Sequence, residues 1–150
     1  MLCPAMLFDS VHGYLPDGLH RMSLADIMAR LTWTPRRAWL HMGLVRATAA
    51  LRAAGCKTMI LDGSFVTAKD DPGDYDAAFD PAGIDGYLLD PVLLRHTDGR
   101  RAMKAKYLGD IFPWGATACS TTGSTFRDFF RTDRSGVPKG VVEIRLDMEP

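Results

Sequence analysis

Two short pieces of this 150-residue chain carry residue types suited to chemistry. An apolar run, Met59-Ile60-Leu61, stops at Gly63-Ser64, and after nine further residues comes Asp74-Tyr75-Asp76. In an extended strand alternate side chains point to opposite faces. Asp74 and Asp76 then share one face, about 6.5 to 7 Å apart at their Cα atoms, while Tyr75, Ala77 and Phe79 turn to the core. Two carboxylates held on one side of a strand repel each other. A divalent cation removes that repulsion, and hard oxygen donors suit Mg²⁺ or Mn²⁺. Asp80 continues the same face but lies far along the strand.

A strand ending in Gly-Ser, a loop, then Asp-x-Asp on the next strand resembles the signature of the nucleotidyltransferase superfamily of the polymerase β type. The fuller string Leu61-Asp62-Gly63-Ser64-Phe65-Val66-Thr67-Ala68-Lys69 is similar to a group of small bacterial proteins of that superfamily. The likeness includes Lys104-Ala105-Lys106-Tyr107-Leu108-Gly109-Asp110 and Pro138-Lys139-Gly140. The resemblance implies transfer of NMP from an NTP to a hydroxyl of RNA, protein or a small molecule, with Mg²⁺ or Mn²⁺ held by Asp74 and Asp76. It implies phosphate donors at the Gly63 and Ser64 amides and the Ser64 hydroxyl, because a glycine lets backbone approach a phosphate closely. Thr67, Lys69 and Lys106 are further candidates on the nucleotide side, as are Lys104 and Lys139. The superfamily usually adds a third carboxylate, as metal ligand or general base; Asp110 is the first choice and Glu143 the second. A toxin–antitoxin or defence setting beside a partner protein is expected by analogy with minimal members. The alternative is a catalytically idle binding or partner protein on the same fold. A nucleic-acid-binding module, resting on the N-terminal arginines with Trp33 and Trp39, is a third reading.

The composition fits one domain over residues 1–150, large enough for its own core. Formal net charge is zero, which argues against a general nucleic-acid coat or a membrane-surface binder. The balance hides segregation. Asp62 to Asp90 holds eight acids and one base, and Arg95 to Lys106 five bases and one acid. An acidic strip beside basic flanks suits a metal site bordered by phosphate-holding groups. Cys3, Cys56 and Cys119 are too far apart for a disulfide framework or zinc spacing, so reduced thiols and a cytoplasmic location are expected. Met1 to Asp9 lacks the basic start of a signal peptide, and no apolar stretch approaches the ~20 residues of a membrane helix.

The elements that must position these residues predict an α+β fold: two N-terminal helices on a small mixed sheet, with the site at the ends of its first two strands. Residues 1–20 read as an irregular arm. Ser23 with Asp26 forms a capping box before a helix carrying Leu24, Ile27, Met28 and Leu31. Thr34-Pro35 starts a second helix running to about Ala54, closed by Gly55. Leu40, Leu44, Ala47 and Leu51 form its apolar stripe; Ala38, Met42, Val45 and Ala49 widen it. Arg36, Arg37, Arg46 and Arg52 are expected nearer solvent, and Trp33 and Trp39 in the core or at a helix interface. Strands are expected at Lys57–Leu61, Tyr75–Phe79 and Tyr107–Phe112. The last strand alternates Val142, Ile144 and Leu146 with Glu143 and Arg145, at an edge of the sheet.

Overall fold

A computed structural model describes residues 7–150; Cys3, Pro4 and most of the stretch from Met1 to Asp9 lie outside the described residues. One mixed five-stranded sheet organises the chain. Its strands are β1 (Leu19–Arg21), β2 (Thr58–Asp62), β3 (Tyr75–Phe79), β4 (Gly109–Pro113) and β5 (Val141–Arg145), in the spatial order β1-β5-β2-β3-β4. The β2–β3 and β2–β5 pairs are antiparallel; β1–β5 and β3–β4 are parallel. The α+β class expected from the sequence is what forms.

Helices α1 (Leu24–Leu31) and α2 (Pro35–Ala53) begin where the capping residues require. Ser23 Oγ accepts from the Asp26 amide at 3.0 Å, and Asp26 accepts from the Ser23 amide at 3.0 Å. Thr34 Oγ1 accepts from the Arg37 amide at 3.2 Å, and Pro35 follows it. Two orphan amides at the head of α1 and one at the head of α2 are thereby satisfied. Gly55 terminates α2 with φ +102°, a conformation that favours glycine.

Leu40, Leu44, Ala47 and Leu51 are fully buried against Met59, Leu61, Tyr75, Ala77, Phe79, Ile111, Val142 and Ile144. These strand residues share one face by the period-two rule. The predicted widening of the stripe does not occur: Ala38, Met42, Val45 and Ala49 are exposed. The buried flank lies on the Gly43 side instead, where a Cβ would stand 2.2 Å from the Tyr107 carbonyl oxygen. There helix α3 (Arg101–Tyr107) reaches α2.

Four further expectations are corrected. Leu19 and His20 belong to strand β1 rather than to an irregular arm. Strand β5 is interior, flanked by β1 and β2, because that unrecognised strand supplies the edge; Val141, Val142 and Ile144 are buried accordingly. Tyr107 closes α3 and Leu108 turns with φ +64°, so β4 starts only at Gly109. Trp39 is 45% exposed, beneath the Arg36 guanidinium, whereas Trp33 packs on the core.

Arg37 departs furthest from expectation. It is fully buried and donates to the carbonyl oxygens of Leu31, Ser64, Phe65, Thr67 and Lys69 at 2.5–3.3 Å. Its guanidinium lies 3.6 Å over the Trp33 ring centroid, a stacking that arginine's planar head permits. Burial pulls its pKa down to about 10, with Asp70 and Asp71 opposing, so the side chain stays charged at neutral pH.

Arg37→Met should leave five carbonyls short of a donor and cost more than about 3 kcal/mol of stability. Urea unfolding of the variant checks this; a loss under about 1 kcal/mol would show that the loop does not depend on the guanidinium.

Candidate functional site

The even-numbered residues of β2, β3 and β4, with the odd-numbered ones of β5, form the second face of the sheet, opposite the helices. Strand pairing sets Asp62 opposite Asp76 and Asp76 opposite Asp110. Paired residues in adjacent strands send side chains to the same side. Three aspartates therefore stand in a row across β2, β3 and β4, and Asp74 lies one pleat before Asp76. Beyond them the face is covered by a small apolar cluster of Ile60, Ala78, Val141 and Phe130, with Phe112, Trp114 and Phe126 against it.

Glycines hold the row close. Gly63 has φ +83°, and a Cβ there would stand 2.7 Å from Asp76 Oδ2. No other residue combines that backbone conformation with that approach. Gly109 faces the Tyr75 ring, which a Cβ would meet at 2.5 Å. The Tyr75 hydroxyl donates to the Tyr107 carbonyl at 2.9 Å, tying β3 to the end of α3 just ahead of Asp110.

Cations flank the row at both ends. Lys139 Nζ donates to Asp62 Oδ2 at 3.0 Å. Arg100 Nε donates to Asp110 Oδ1 at 2.8 Å, and Lys104 Nζ lies 3.5 Å from Asp110 Oδ2 and 3.9 Å from Asp74 Oδ2. Asp76, in the middle, has no ion-pair partner within 4.0 Å among the described residues. Burial first, then the charges of Asp74, Asp110 and Asp62, push its carboxyl up to about 7. Asp74 is raised by burial and by Asp110, against Lys104, Arg100 and Arg36. Asp62 is raised by burial, with Lys139 and the Gly63 amide opposing. Among the described residues no three carboxylate, histidine or cysteine side chains are gathered into a ready-made metal site; the outer carboxylates are drawn toward their cations instead.

The other predicted residues separate. Ser64 is half-buried and opens a 3-10 turn, Ser64–Val66, next to Gly63. The Thr67 hydroxyl is used within that turn, donating to the Ser64 carbonyl at 2.7 Å. Lys69 is exposed, and its carbonyl accepts from Arg37. Lys106 is not brought to the row: it pairs with Asp90 at 2.5 Å. Residues two apart on a helix point in nearly opposite directions, so Lys104 faces the carboxylates and Lys106 does not. Glu143 lies on the same sheet face as the row but opposite Ile60, one pleat away, and accepts from Arg21 at 3.0 Å. Asp80 caps a turn through the Ala82 amide at the far end of β3.

Asp62, Arg100 and Arg134 escaped the reading of the sequence. Asp62 had a signal: β2 and β3 form an antiparallel pair, so the last residue of one strand falls opposite the start of the other. Arg100 had none, since its reach to Asp110 depends on a left-handed backbone (φ +60°) just before α3. A cavity of about 550 Å³ opens beside Asp62 and Asp76, walled by Phe129, Phe130, Arg134 and Lys139. A second groove, of about 450 Å³, lies between α1 and α2 on the helical side of the sheet and includes no carboxylate of the row.

The chain belongs to a family of unknown function, DUF6932, whose profile matches residues 6–145. No curated protein and no solved structure matches it. Among the described residues no helix is long and apolar enough to cross a membrane.

The raised carboxyl of Asp76 has a pH signature. Its folded value of about 7 lies above the ordinary 3.8, so the native state holds the proton more tightly than the unfolded chain. Stability is then lost as pH rises from about 4 to about 7 and levels off above that. Asp76→Asn should be more stable than wild type at pH 8 by about 2 to 4 kcal/mol, with the gap closing toward pH 4. Thermal unfolding across that range checks it; a gap independent of pH would refute the buried, uncompensated carboxylate.

Proposed function

We propose that this protein is a metal-dependent nucleotidyltransferase that moves NMP from an NTP to an acceptor hydroxyl. The observation that carries the reading is the row Asp62-Asp76-Asp110 on three adjacent strands, with Asp74 beside it and Gly63-Ser64 against Asp76. All four donors are carboxylate oxygens, the ligand type that suits Mg²⁺ or Mn²⁺. The fit rests on Asp76: an uncompensated, half-buried carboxylate between two others is stabilised by an incoming cation.

In this reading Asp74 and Asp76 hold the metal, and Asp110 is the third ligand or the base. Bound there, the metal would neutralise developing charge on the reacting phosphate. The Gly63 and Ser64 amides and the Ser64 hydroxyl hold phosphate oxygens. Lys104 and Arg100, already beside Asp74 and Asp110, are placed to turn toward the triphosphate in place of Lys106. The acceptor oxygen bonds to the α-phosphorus, the α–β anhydride bond breaks, pyrophosphate leaves with that electron pair, and the hydroxyl proton passes to Asp110. A partner protein or a toxin–antitoxin setting is part of the proposal by analogy alone.

A second reading, an idle binding protein on this fold, is favoured by one fact. The outer carboxylates are already neutralised by Lys139, Arg100 and Lys104, as in a site that keeps its charges balanced without metal.

Calorimetric titration with NTP and Mg²⁺ should show binding that Asp76→Asn abolishes; undiminished binding in that variant would refute the site. Ser64→Ala should weaken NTP binding roughly ten- to a hundredfold, the loss of one charge-assisted hydrogen bond, and an unchanged dissociation constant would remove Ser64 from the site. Asp110→Asn should bind NTP but transfer no label from α-³²P NTP. Wild-type protein that binds NTP and never transfers label would establish the idle reading.

A further inference from the structure

Asp62 carries a feature the transfer reading does not use. The residue is 2% exposed, and its Oδ1 is buried with no hydrogen-bond partner among the described residues: the Gly63 amide lies near the carboxylate but makes no bond of hydrogen-bond geometry, and Oδ2 takes the Lys139 ammonium. A buried carboxylate oxygen left without a donor is costly. Asp62 lines the cavity of about 550 Å³, within the ~300–1,000 Å³ of small-molecule sites.

The walls state what would fit. The missing partner of Oδ1 is a hydrogen-bond donor. Lys139 already supplies the charge that balances this carboxylate, so a neutral hydroxyl completes Oδ1 without a second cation, and Arg134 lines the same cavity as Asp76. Arg134 is exposed and offers a planar fork to an anion. Asp133 does not oppose it freely, since its carboxylate accepts from the Tyr14 hydroxyl at 2.9 Å and from the Ser135 and Val137 amides at 2.8 and 2.9 Å. Phe129, 46% exposed, and buried Phe130 supply an apolar wall, to which a flat ring can stack.

We propose that this cavity binds a nucleoside monophosphate unit, with a ribose hydroxyl donating to Asp62 Oδ1, the phosphate at Arg134 and the base against Phe129. Asp76 then stands between this cavity and the Lys104–Arg100 side of the row, so the unit is placed as the acceptor. That role rests on the transfer reading; the binding does not. A free nucleotide and the 3′-terminal nucleotide of an RNA present the same chemistry.

The test is calorimetric titration of the full chain with each of the four ribonucleoside 5′-monophosphates in EDTA, where metal-dependent NTP binding is absent. At least one should bind. Asp62→Asn, whose amide turns its oxygen to Lys139 and a donor to the cavity, should weaken it about tenfold or more. Arg134→Ala and Phe129→Ala, at exposed positions that should leave the thermal midpoint unchanged, should each weaken it about fivefold or more. Ribose 5-phosphate should bind more weakly than the nucleotide by a similar factor. A triribonucleotide binding more than tenfold tighter would place the unit at an RNA end; equal or weaker binding would make it a free nucleotide. No monophosphate bound by wild type, or binding indifferent to Arg134→Ala and Phe129→Ala, overturns the proposal. Nucleotide binding in EDTA without any NTP–Mg²⁺ binding would leave this site standing and remove the transfer reading.

Discussion

The buried guanidinium of Arg37 is the interaction on which the site depends. It replaces the water that the carbonyls of residues 64–69 would otherwise need, and it does so from the first turns of the helix lying across the sheet. Its neighbours extend the grip. Trp33 donates to the Asp70 carboxylate at 2.9 Å, Thr34 to the Asp70 carbonyl at 2.8 Å, and Arg36 to the Pro72 and Gly73 carbonyls at 3.0 and 2.6 Å. The entire connection between β2 and β3 is fastened to one helix end. A β2–β3 loop of this length would otherwise keep many conformations. Fastened, it presents Gly63 and Asp76 to each other at a distance only glycine permits.

A charge buried among backbone dipoles is expensive, and a row of carboxylates on one sheet face is expensive again. The two costs are linked through geometry. The loop that Arg37 fixes is what brings Asp62 and Asp76 opposite each other, and Lys139, Lys104 and Arg100 offset the repulsion at the ends of the row. Asp76 has no ion pair within 4.0 Å among the described residues, and Lys139 offsets its repulsion only from a distance. Folded proteins tolerate such local instability where the rest of the fold compensates it, and the helical core on the opposite face supplies the compensation. Each fully buried leucine of α2 contributes roughly 1.5 to 3 kcal/mol.

Much of this was legible in the residues. Caps are legible because their chemistry is local: Ser23 with Asp26, Thr34 with Pro35, and Gly55 each act within a few residues of themselves. Strand β3 was read to the residue because its alternation is clean. What failed was non-local. β1 is only three residues long and forms because β5 pairs with it in parallel; no periodicity fits in three residues. The edge assignment of β5 failed with it. Arg37 is expected near solvent because arginine is rarely buried, and four of its five acceptors lie in a loop some 30 residues on. In the site, the shared face of Asp74 and Asp76 follows from spacing and Gly63 from the resemblance, whereas the approach of Arg100 and Lys104 depends on how α3 is wound. Lys104 and Lys106 stand two apart on that helix, which sends them to different sides.

The position of β5 has a consequence for how the molecule is made. It is the last strand in the sequence, yet it lies between β1 and β2. Until residues 141–145 emerge, β1 has no partner and the long flank of β2 is an open edge. The carboxylate row is incomplete as well, because Lys139 arrives on the turn that leads into β5. Parallel pairing between distant segments is slow to form, and open strand edges invite pairing with other chains. A chain in which residues 141–145 have not yet paired has half a sheet, an unneutralised Asp62 and an adhesive edge, and insertion of β5 resolves all three together.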